Sequence, residues 1–376
     1  MRTIVFYTEA SEVGGHEQMA LTAHRAICGQ FDDIRITWIV RDTNTLLIKE
    51  LDRAGLTYAI FSQHKSGTLW GTAWSLVRRI YANARLLQRV RPDLVVLIQG
   101  NIILSSSGSL TAALSGTPYC SYIPMMFDVS SLSNAMLRTI ARCATFVLHR
   151  TIHRYITIDR QIARSLKDAS PHASVEVVEN YVPCSGRSGK DTRLRESLRI
   201  PAGRRVLTIV GRIVFSHKCQ DWIVEALASD PFLEDKYVLF VGDGLDADKL
   251  RNMLRPQLLN RFGMIGWRAD LTEIYAATDV LLIPSRNEGV PLVMLEALSR
   301  RIPVVGSNVG GMCQWLPSDW RFLRGDVGAL KSSIENALAD SHPQIWTQME
   351  HRLQHIQDLD RFALEFRNAL VRYCDQ

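Results

Sequence analysis

PSRNEGVPLVMLEALSRRIPVVGSNVGG, residues 284–311, follows the apolar run Val280–Ile283 and contains a second one at Val304–Val305. Between the two runs lie a polar loop and a stretch with helical character. The whole reads as strand, loop, helix, strand, a βαβ unit of a parallel sheet. Pro291 stands at the start of the expected helix, where a missing N–H does no harm because it would be unpaired anyway. That places Glu288 in the loop ahead of the helix and Glu296 about a turn and a half inside it. The N–H groups of Gly289, Val290 and Leu292 form a natural anion site, reinforced by the positive end of the helix dipole. Two carboxylates beside such a site suit a ligand that carries hydroxyls as well as phosphates. They also suit a plainer reading, with Glu288 as a loop acid favoured by the dipole and Glu296 as a solvated helix residue.

The same alternation runs along the chain in both directions. Strands are expected at Thr3–Tyr7, Ile34–Val40, Thr57–Phe61, Leu94–Gln99, Tyr119–Ile123, Arg154–Ile158 and Val175–Val178, and again at Arg205–Val210, Tyr237–Val241, Phe262–Ile265, Val280–Ile283 and Val304–Val305. Their apolar runs suit strands buried on both faces. Residues 184–203, CSGRSGKDTRLRESLRIPAG, interrupt the pattern with small, charged and turn-forming residues and read as a linker. The expected organisation is an α/β domain over 1–183, the linker 184–203, and a second α/β domain over 204–343. A helix over 344–376 is expected, because Ile345, Met349, Leu353, Ile356, Leu359, Phe362, Phe366 and Leu370 recur at steps of three and four. Two doubly wound sheets normally bind ligands at the C-terminal ends of their strands, and a cleft between them is the default site.

Composition agrees with this class. With 376 residues, 47% of them hydrophobic and 22% charged, each half is long enough to bury its own core. The seven cysteines are odd in number, scattered and without a CxxC pair, which argues against a disulfide scaffold or a zinc knuckle. The opening MRTIVFYTEA runs straight into a strand and lacks signal-peptide character, so a cytoplasmic location is expected.

Three further segments carry chemistry. VGRIVFSHKCQD (210–221) places Arg212 and Lys218 just beyond a strand, where a planar fork and a point charge could neutralise a diphosphate or simply be surface cations. FVGDGLDADKL (240–250) is a strand-to-helix turn with Gly242 and Gly244; its Asp246 and Asp248 spell DxD but read as capping and turn residues, and no metal site is expected. EVGGHEQMA (12–20) follows the first strand, and Gly14 and Gly15 would let the backbone approach a ligand closely; neither GxGxxG nor a P-loop lysine is present.

Together these residues resemble retaining glycosyltransferases of the GT-B fold, specifically glycosyltransferase family 4 (glycosyl transferases group 1). The signature is Glu, seven residues, Glu (Glu288 to Glu296), preceded by Gly211, Arg212 and Lys218, by Val241–Gly244, and by Gly266–Leu271, and closed by Pro303 to Gly311. It runs in order over about residues 205–312, whereas the N-terminal match is confined to Gly14, Gly15 and the strand spacing. The resemblance implies two Rossmann-like domains facing a central cleft, with the C-terminal helix over 344–376 packing back toward the first domain. It implies a metal-independent hexosyltransferase of polysaccharide biosynthesis, without cofactor, that uses a nucleoside diphosphate sugar and a saccharide or lipid-linked acceptor. Arg212 and Lys218 would hold the donor diphosphate with help from the Gly15 backbone, and Glu288 would contact the transferred sugar. The amides of Gly289 and Val290, beside Pro291, would bind sugar hydroxyls or phosphate. Glu296 would hold the ribose, Gly242 would belong to the donor loop, and the backbone at Arg268 would face the base.

The sequence also departs from the family pattern. A histidine common near the end of the fifth N-terminal strand is missing from CSYIPMMFDVSS (120–131), leaving Tyr122 or Asp128 to line the acceptor side. Cys219 replaces the glycine that usually follows the lysine, and MCQWL (312–316) lacks a usual glutamate. His16 could reach acceptor or donor sugar, or be an ordinary first-turn residue. A GT-B nucleotide-sugar epimerase and a non-catalytic sugar-binding protein are the rival readings.

Charge is unevenly spread. Residues 1–185 hold 19 basic and 14 acidic side chains, a balance of +5, while the remainder holds 25 and 24, a balance of +1. Arg78, Arg79, Arg85, Arg89 and Arg91 interleave with Ile80, Leu86, Leu87 and Val90. Arg138, Arg142, Arg150 and Arg154 stand beside Met136, Leu137, Ile140, Phe146 and Val147. These stretches read either as ordinary helices with solvated outer faces or as basic amphipathic helices in peripheral contact with an anionic membrane, at the inner face. No nucleic-acid motif accompanies them.

Overall fold

The computed structural model describes residues 1–62, 69–126, 129, 134–184, 193–228, 230–254, 260–339 and 343–376. They form two compact units, residues 1–181 with 358–376, and residues 182–357.

Unit 1 begins with β1 (Arg2–Thr8), α1 (Gly15–Gln30), β2 (Ile34–Arg41), α2 (Thr45–Arg53), β3 (Tyr58–Phe61), α3 (Leu69–Val90) and β4 (Leu94–Ile98). It continues with α4 (Ser106–Ser115), β5 (Tyr119–Tyr122), α5 (Ala135–Thr151), β6 (Arg154–Thr157), α6 (Arg160–Ala169) and β7 (Ser174–Val177). The seven strands form one parallel sheet in the order β3-β2-β1-β4-β5-β6-β7, with the chain reversing direction across the sheet between β1 and β4. Side chains alternate along each strand, so the sheet has two differently furnished faces. On one, Phe6 meets Trp38 and His24 of α1 edge-on and lies 6.3 Å from Phe366. On the other, Val5, Tyr7, Val95 and Leu97 pack against Leu87 of α3 and Ala112 of α4. The register Leu97–Ser121–Tyr155 carries this second face across to Tyr155, against which Leu148 of α5 packs. Leu166 of α6 joins the same cluster, so helices α3, α4, α5 and α6 cover one face together.

Unit 2 contains α7 (Arg193–Ser197), β8 (Arg205–Val210), α8 (Phe215–Lys218), α9 (Gln220–Leu227), β9 (Lys236–Val241), α10 (Ala247–Met253), β10 (Phe262–Ile265) and α11 (Thr272–Ala277). Then come β11 (Val280–Ile283), α12 (Leu292–Ser299), β12 (Val304–Ser307), α13 (Met312–Trp315), β13 (Arg321–Phe322), α14 (Val327–Leu338) and α15 (Pro343–Ile356). Its parallel sheet has the order β10-β9-β8-β11-β12-β13, reversing between β8 and β11. Val206, Leu207, Val238, Leu239, Val280 and Leu281 are fully buried, as strands covered on both faces require.

The long C-terminal helix expected from the sequence is two helices. Asp358 accepts from the Arg361 amide at 2.9 Å and starts α16 (Leu359–Cys374), which belongs to unit 1 while α15 belongs to unit 2. Apolar steps of three and four continue across this break, which is why periodicity alone cannot show it. In α16, Phe366 lies 5.5 Å from Tyr122, and the Tyr373 hydroxyl reaches the carbonyls of Tyr155 (2.8 Å) and Ser174 (3.0 Å). The expected linker also differs: residues 185–192 lie outside the described ones, but α7 is an integrated part of unit 2. Arg195 there donates to the Ala277 carbonyl at 2.7 Å and to Asp279 at 2.8 Å.

One buried histidine ties this fold to pH. Trp38 Nε1–H donates to His24 Nδ1 at 2.9 Å, and burial, with a smaller push from Arg25, pulls the imidazole down to about 4. In the unfolded chain it titrates near 6.5, so below that value the unfolded state gains the proton and stability falls with pH. The stabilisation is complete above about pH 6.5 and is lost toward pH 4, in total about 3 kcal/mol. The denaturant midpoint of unit 1 should fall between pH 7 and 4.5, and His24→Gln should flatten that slope; an undiminished slope would exclude His24 as its source.

Candidate active site

Sheet order gathers the functional loops of unit 2. Strands β10, β9, β8 and β11 are neighbours and parallel, so the loops after them, carrying Arg268, Gly242, Arg212 and Glu288, emerge at the same sheet edge. Lys218 ends α8, and its Nζ lies 2.5 Å from Glu288 Oε1. Burial alone would push the Glu288 carboxyl up, but Lys218 and, less strongly, His217 outweigh it and hold the group below the usual carboxylate range. Burial pulls the His217 imidazole down, partly opposed by Glu288. His217 thus sits beside the pair with a buried Nε2 that takes part in no hydrogen bond.

Glycines set how closely these loops pack. A Cβ on Gly242 (φ 147°) would lie 2.0 Å from the Gly211 carbonyl oxygen, and one on Gly310 (φ 52°) would lie 1.9 Å from that of Glu288. The Gly311 amide donates to the Gly289 carbonyl at 2.6 Å. The closing Gly-Gly is thus a backbone platform under the Glu288–Gly289 loop, which Val290 and the N-cap Pro291 continue into α12. Cys219, at the family's glycine position, has φ 54°, the left-handed region that glycine enters without penalty.

Glu296 lies in α12, and its Oε2 accepts from the Tyr275 hydroxyl at 2.6 Å, while Arg300 stacks 4.7 Å above the Tyr275 ring. One carboxylate oxygen is therefore engaged, which the solvated-residue reading did not include. Arg212 and Arg268 are exposed on the same edge. Asp246 accepts from the Phe215 amide at 2.9 Å and from Lys249 at 2.8 Å, and Asp248 pairs with Arg251. Asp246 stands at the N-cap position of α10 but spends its carboxylate on the Phe215 loop and Lys249, not on a cap bond, and Asp248 makes a surface pair one turn along the helix. Among the described residues no group of three or more His, Cys, Asp or Glu is disposed to hold a metal ion.

In unit 1, Gly14 caps α1, and its amide donates to Glu17 Oε2 at 2.8 Å. Glu17 is fully buried, takes the Thr8 hydroxyl at 3.1 Å and pairs with His16 Nε2 at 2.8 Å. Burial pushes its carboxyl up, but His16 and the Gly14 amide win and hold it low. His16 is thereby fixed against Gly14 and Gly100, where an added Cβ would come within 3.0 and 2.9 Å of its ring. Tyr122 is a correction: it is buried in the core against Phe366 and is not available to an acceptor. Asp128 lies outside the described residues. The sequence reading passed over Glu17, His217 and Tyr275. Only Glu17 left a signal, a glutamate three residues after an N-cap.

Residues 204–340 match the family model "Glycosyl transferases group 1". A 2-deoxystreptamine N-acetyl-D-glucosaminyltransferase of Streptomyces fradiae is 31% identical over 300 residues, 72% of this chain and 68% of the relative. The chain belongs to the group 1 glycosyltransferases. Another relative, a D-inositol 3-phosphate glycosyltransferase of Salinispora arenicola, is 31% identical over 207 residues, covering 50% of this chain and only 43% of its own length. The fold of this glycosyltransferase is GT-B: Anabaena HepE in complex with UDP and glucose superposes with a TM-score of 0.76 over 99% of this chain and 100% of that one, at 18% identity. A sucrose-phosphate synthase from Thermosynechococcus elongatus gives 0.74 over 99% of both chains, at 16% identity.

The glycine contacts give a direct test. Gly242→Ala and Gly310→Ala each combine a positive φ with a Cβ at 2.0 or 1.9 Å from a backbone oxygen, and each should destabilise unit 2 by about 2 kcal/mol or more. Gly266→Ala, where an added Cβ would meet nothing within 4 Å, should stay near neutral. Equal denaturation midpoints for all three would refute the backbone-platform account.

Proposed function

We propose that this enzyme transfers a hexose-type sugar from a nucleoside diphosphate sugar to a saccharide or lipid-linked acceptor in glycan biosynthesis, with retention and without a metal ion. The observation that carries the reading is the Lys218–Glu288 pair, set at a sheet edge beside the N-terminus of α12. An ammonium has three donors, so Lys218 can keep Glu288 and still donate to a phosphate oxygen, while the carboxylate keeps lone pairs for sugar hydroxyls. Charge builds on the leaving diphosphate as the anomeric carbon becomes oxocarbenium-like. Lys218, Arg212 and the amides opening α12 are fixed positive groups of the kind that lower such a barrier. In this reading the front face of the sugar is attacked and a donor phosphate oxygen takes the acceptor's proton, so no side-chain base is required. Glu296 holds the ribose with the oxygen that Tyr275 leaves open, and the Arg268 backbone faces the base. His16, oriented by Glu17, is unit 1's candidate contribution to the acceptor side.

The relatives support a sugar-transfer reaction: one is named for N-acetylglucosaminyl transfer, and HepE was solved with UDP and glucose. A thermal-shift panel of UDP, GDP, ADP and CDP, then of their sugars, should single out one nucleotide. A ligand at 100 times its Kd stabilises by about 2.7 kcal/mol. With donor and acceptor in hand, Glu288→Ala and Glu288→Gln should lower transfer by about 100-fold or more while leaving the melting profile cooperative. Near-normal turnover in either would refute the role given to Glu288, and donor consumed without transfer would favour an epimerase.

A further inference from the structure

Helices α3, α4 and α5, followed by α6, cover one face of the unit 1 sheet; none of the first three contains an aspartate or glutamate, and α6 sets its single Asp168 among Arg160, Arg164 and Lys167. The helices on the other face are mixed in sign, with Glu17 and Arg25 in α1 and Asp360, Arg361, Glu365 and Arg367 in α16. The outward side of the three acid-free helices is also unusually apolar. On α3, Leu86, Leu87 and Val90 turn inward to the core, and Trp74, Val77 and Tyr81 each expose more than half of their surface. On α5, Met136, Leu137, Ile140, Phe146 and Val147 all do the same, and on α4 Leu114 is 76% exposed. Arginines are threaded through these side chains: Arg78, Arg85 and Arg89 are exposed on α3, Arg142 and Arg150 on α5. Two of them stack on the exposed rings, Arg85 4.6 Å over Tyr81 and Arg150 4.3 Å over Phe146.

We infer that this face docks on an anionic lipid surface. Exposed apolar residues in such number mark an interaction site. A row of arginines with no acid among them is complementary to a surface that is uniformly negative, whereas a typical protein partner offers both signs. Aliphatic and aromatic side chains beside guanidinium groups are the furnishing of helices that lie in the headgroup region, their apolar side submerged and their cations at the phosphates. Among the described residues no helix is long and apolar enough to cross a membrane, so this contact lies on the surface. The inference does not depend on the donor chemistry, and its failure would leave that reading untouched.

Flotation of the full chain with phosphatidylcholine vesicles, with and without about one third phosphatidylglycerol, tests it. Binding is expected to the anionic vesicles alone and should weaken as salt is raised. Arg78→Glu, Arg85→Glu and Arg142→Glu should each lower the partition coefficient about fivefold, while Lys49→Glu, exposed on α2, should leave it unchanged. Ile140→Ser with Val147→Ser should remove the salt-resistant part of the binding. Absence from both vesicle types, equal binding to both, or equal losses for Lys49→Glu and the α3 variants would overturn the proposal. So would sedimentation showing a dimer that the α5 variants dissolve, since the face would then be a contact between copies of the chain. If a variant does not fold, the lipid and salt comparisons on the unaltered chain still decide.

Discussion

A buried carboxylate next to a cation organises unit 2. Glu288 cannot be withdrawn from water as an ion without a partner, since the desolvation of one unpaired charge would cost several kcal/mol. Lys218 supplies that partner at 2.5 Å, yet it comes from a different βα loop, after β8 and not β11. The pair therefore fixes the distance between two loops at one sheet edge, and the glycines fix what lies behind them. With Gly310 and Gly311 the Glu288–Gly289 backbone settles directly on the next loop, and with Gly242 the β9 loop settles on Gly211. Any side chain at these points would lift a loop and lengthen the ion pair. The signature residues of the family are, in this chain, the two charged partners together with the backbone spacing that lets them meet.

Much of the fold was legible because buried parallel strands are dense apolar runs bounded by turns. All twelve strands expected from such runs are present within a residue or two of the expected bounds. The thirteenth, Arg321–Phe322, is two residues long and begins with an arginine, so no run announces it. The break between α15 and α16 was hidden for a different reason. Asp358 both caps the second helix and fits a polar position of a continuous one, so one residue type serves two structures. The segment carrying α7 looked like a linker because small, charged and turn-forming residues interrupt the apolar runs there, whereas Arg195 is held by the Ala277 carbonyl and Asp279.

The site was legible where chemistry is carried by motif spacing, and illegible where it depends on packing between elements. Glu288 and Lys218 were placed by pattern, but nothing in the sequence told that they pair with each other across 70 residues. Tyr275, which engages Glu296, sits in a short helix with no motif, and His217 was masked by the more obvious Lys218 beside it. Tyr122 was misassigned because strand alternation alone does not say which face of β5 meets a helix; α16 covers the face it occupies. The arginine-rich segments were visible as charge, but which apolar neighbours face outward was not, since Leu86 and Leu87 differ from Trp74 and Tyr81 only in helical phase.

The crossing at Gln357–Asp358 has a consequence for how the molecule is made. Unit 1 is built from two separated stretches of chain, and the second, α16, contributes Phe362, Phe366, Leu370 and Tyr373 to its interior. During synthesis, unit 2 emerges whole while unit 1 is still waiting for those four side chains. The part translated first is thus the last to be finished, and until α16 arrives the sheet face carrying Phe6 and Tyr122 is covered only in part, by α1. Domains usually fold in the order in which they leave the ribosome; here the connectivity imposes the opposite order of completion.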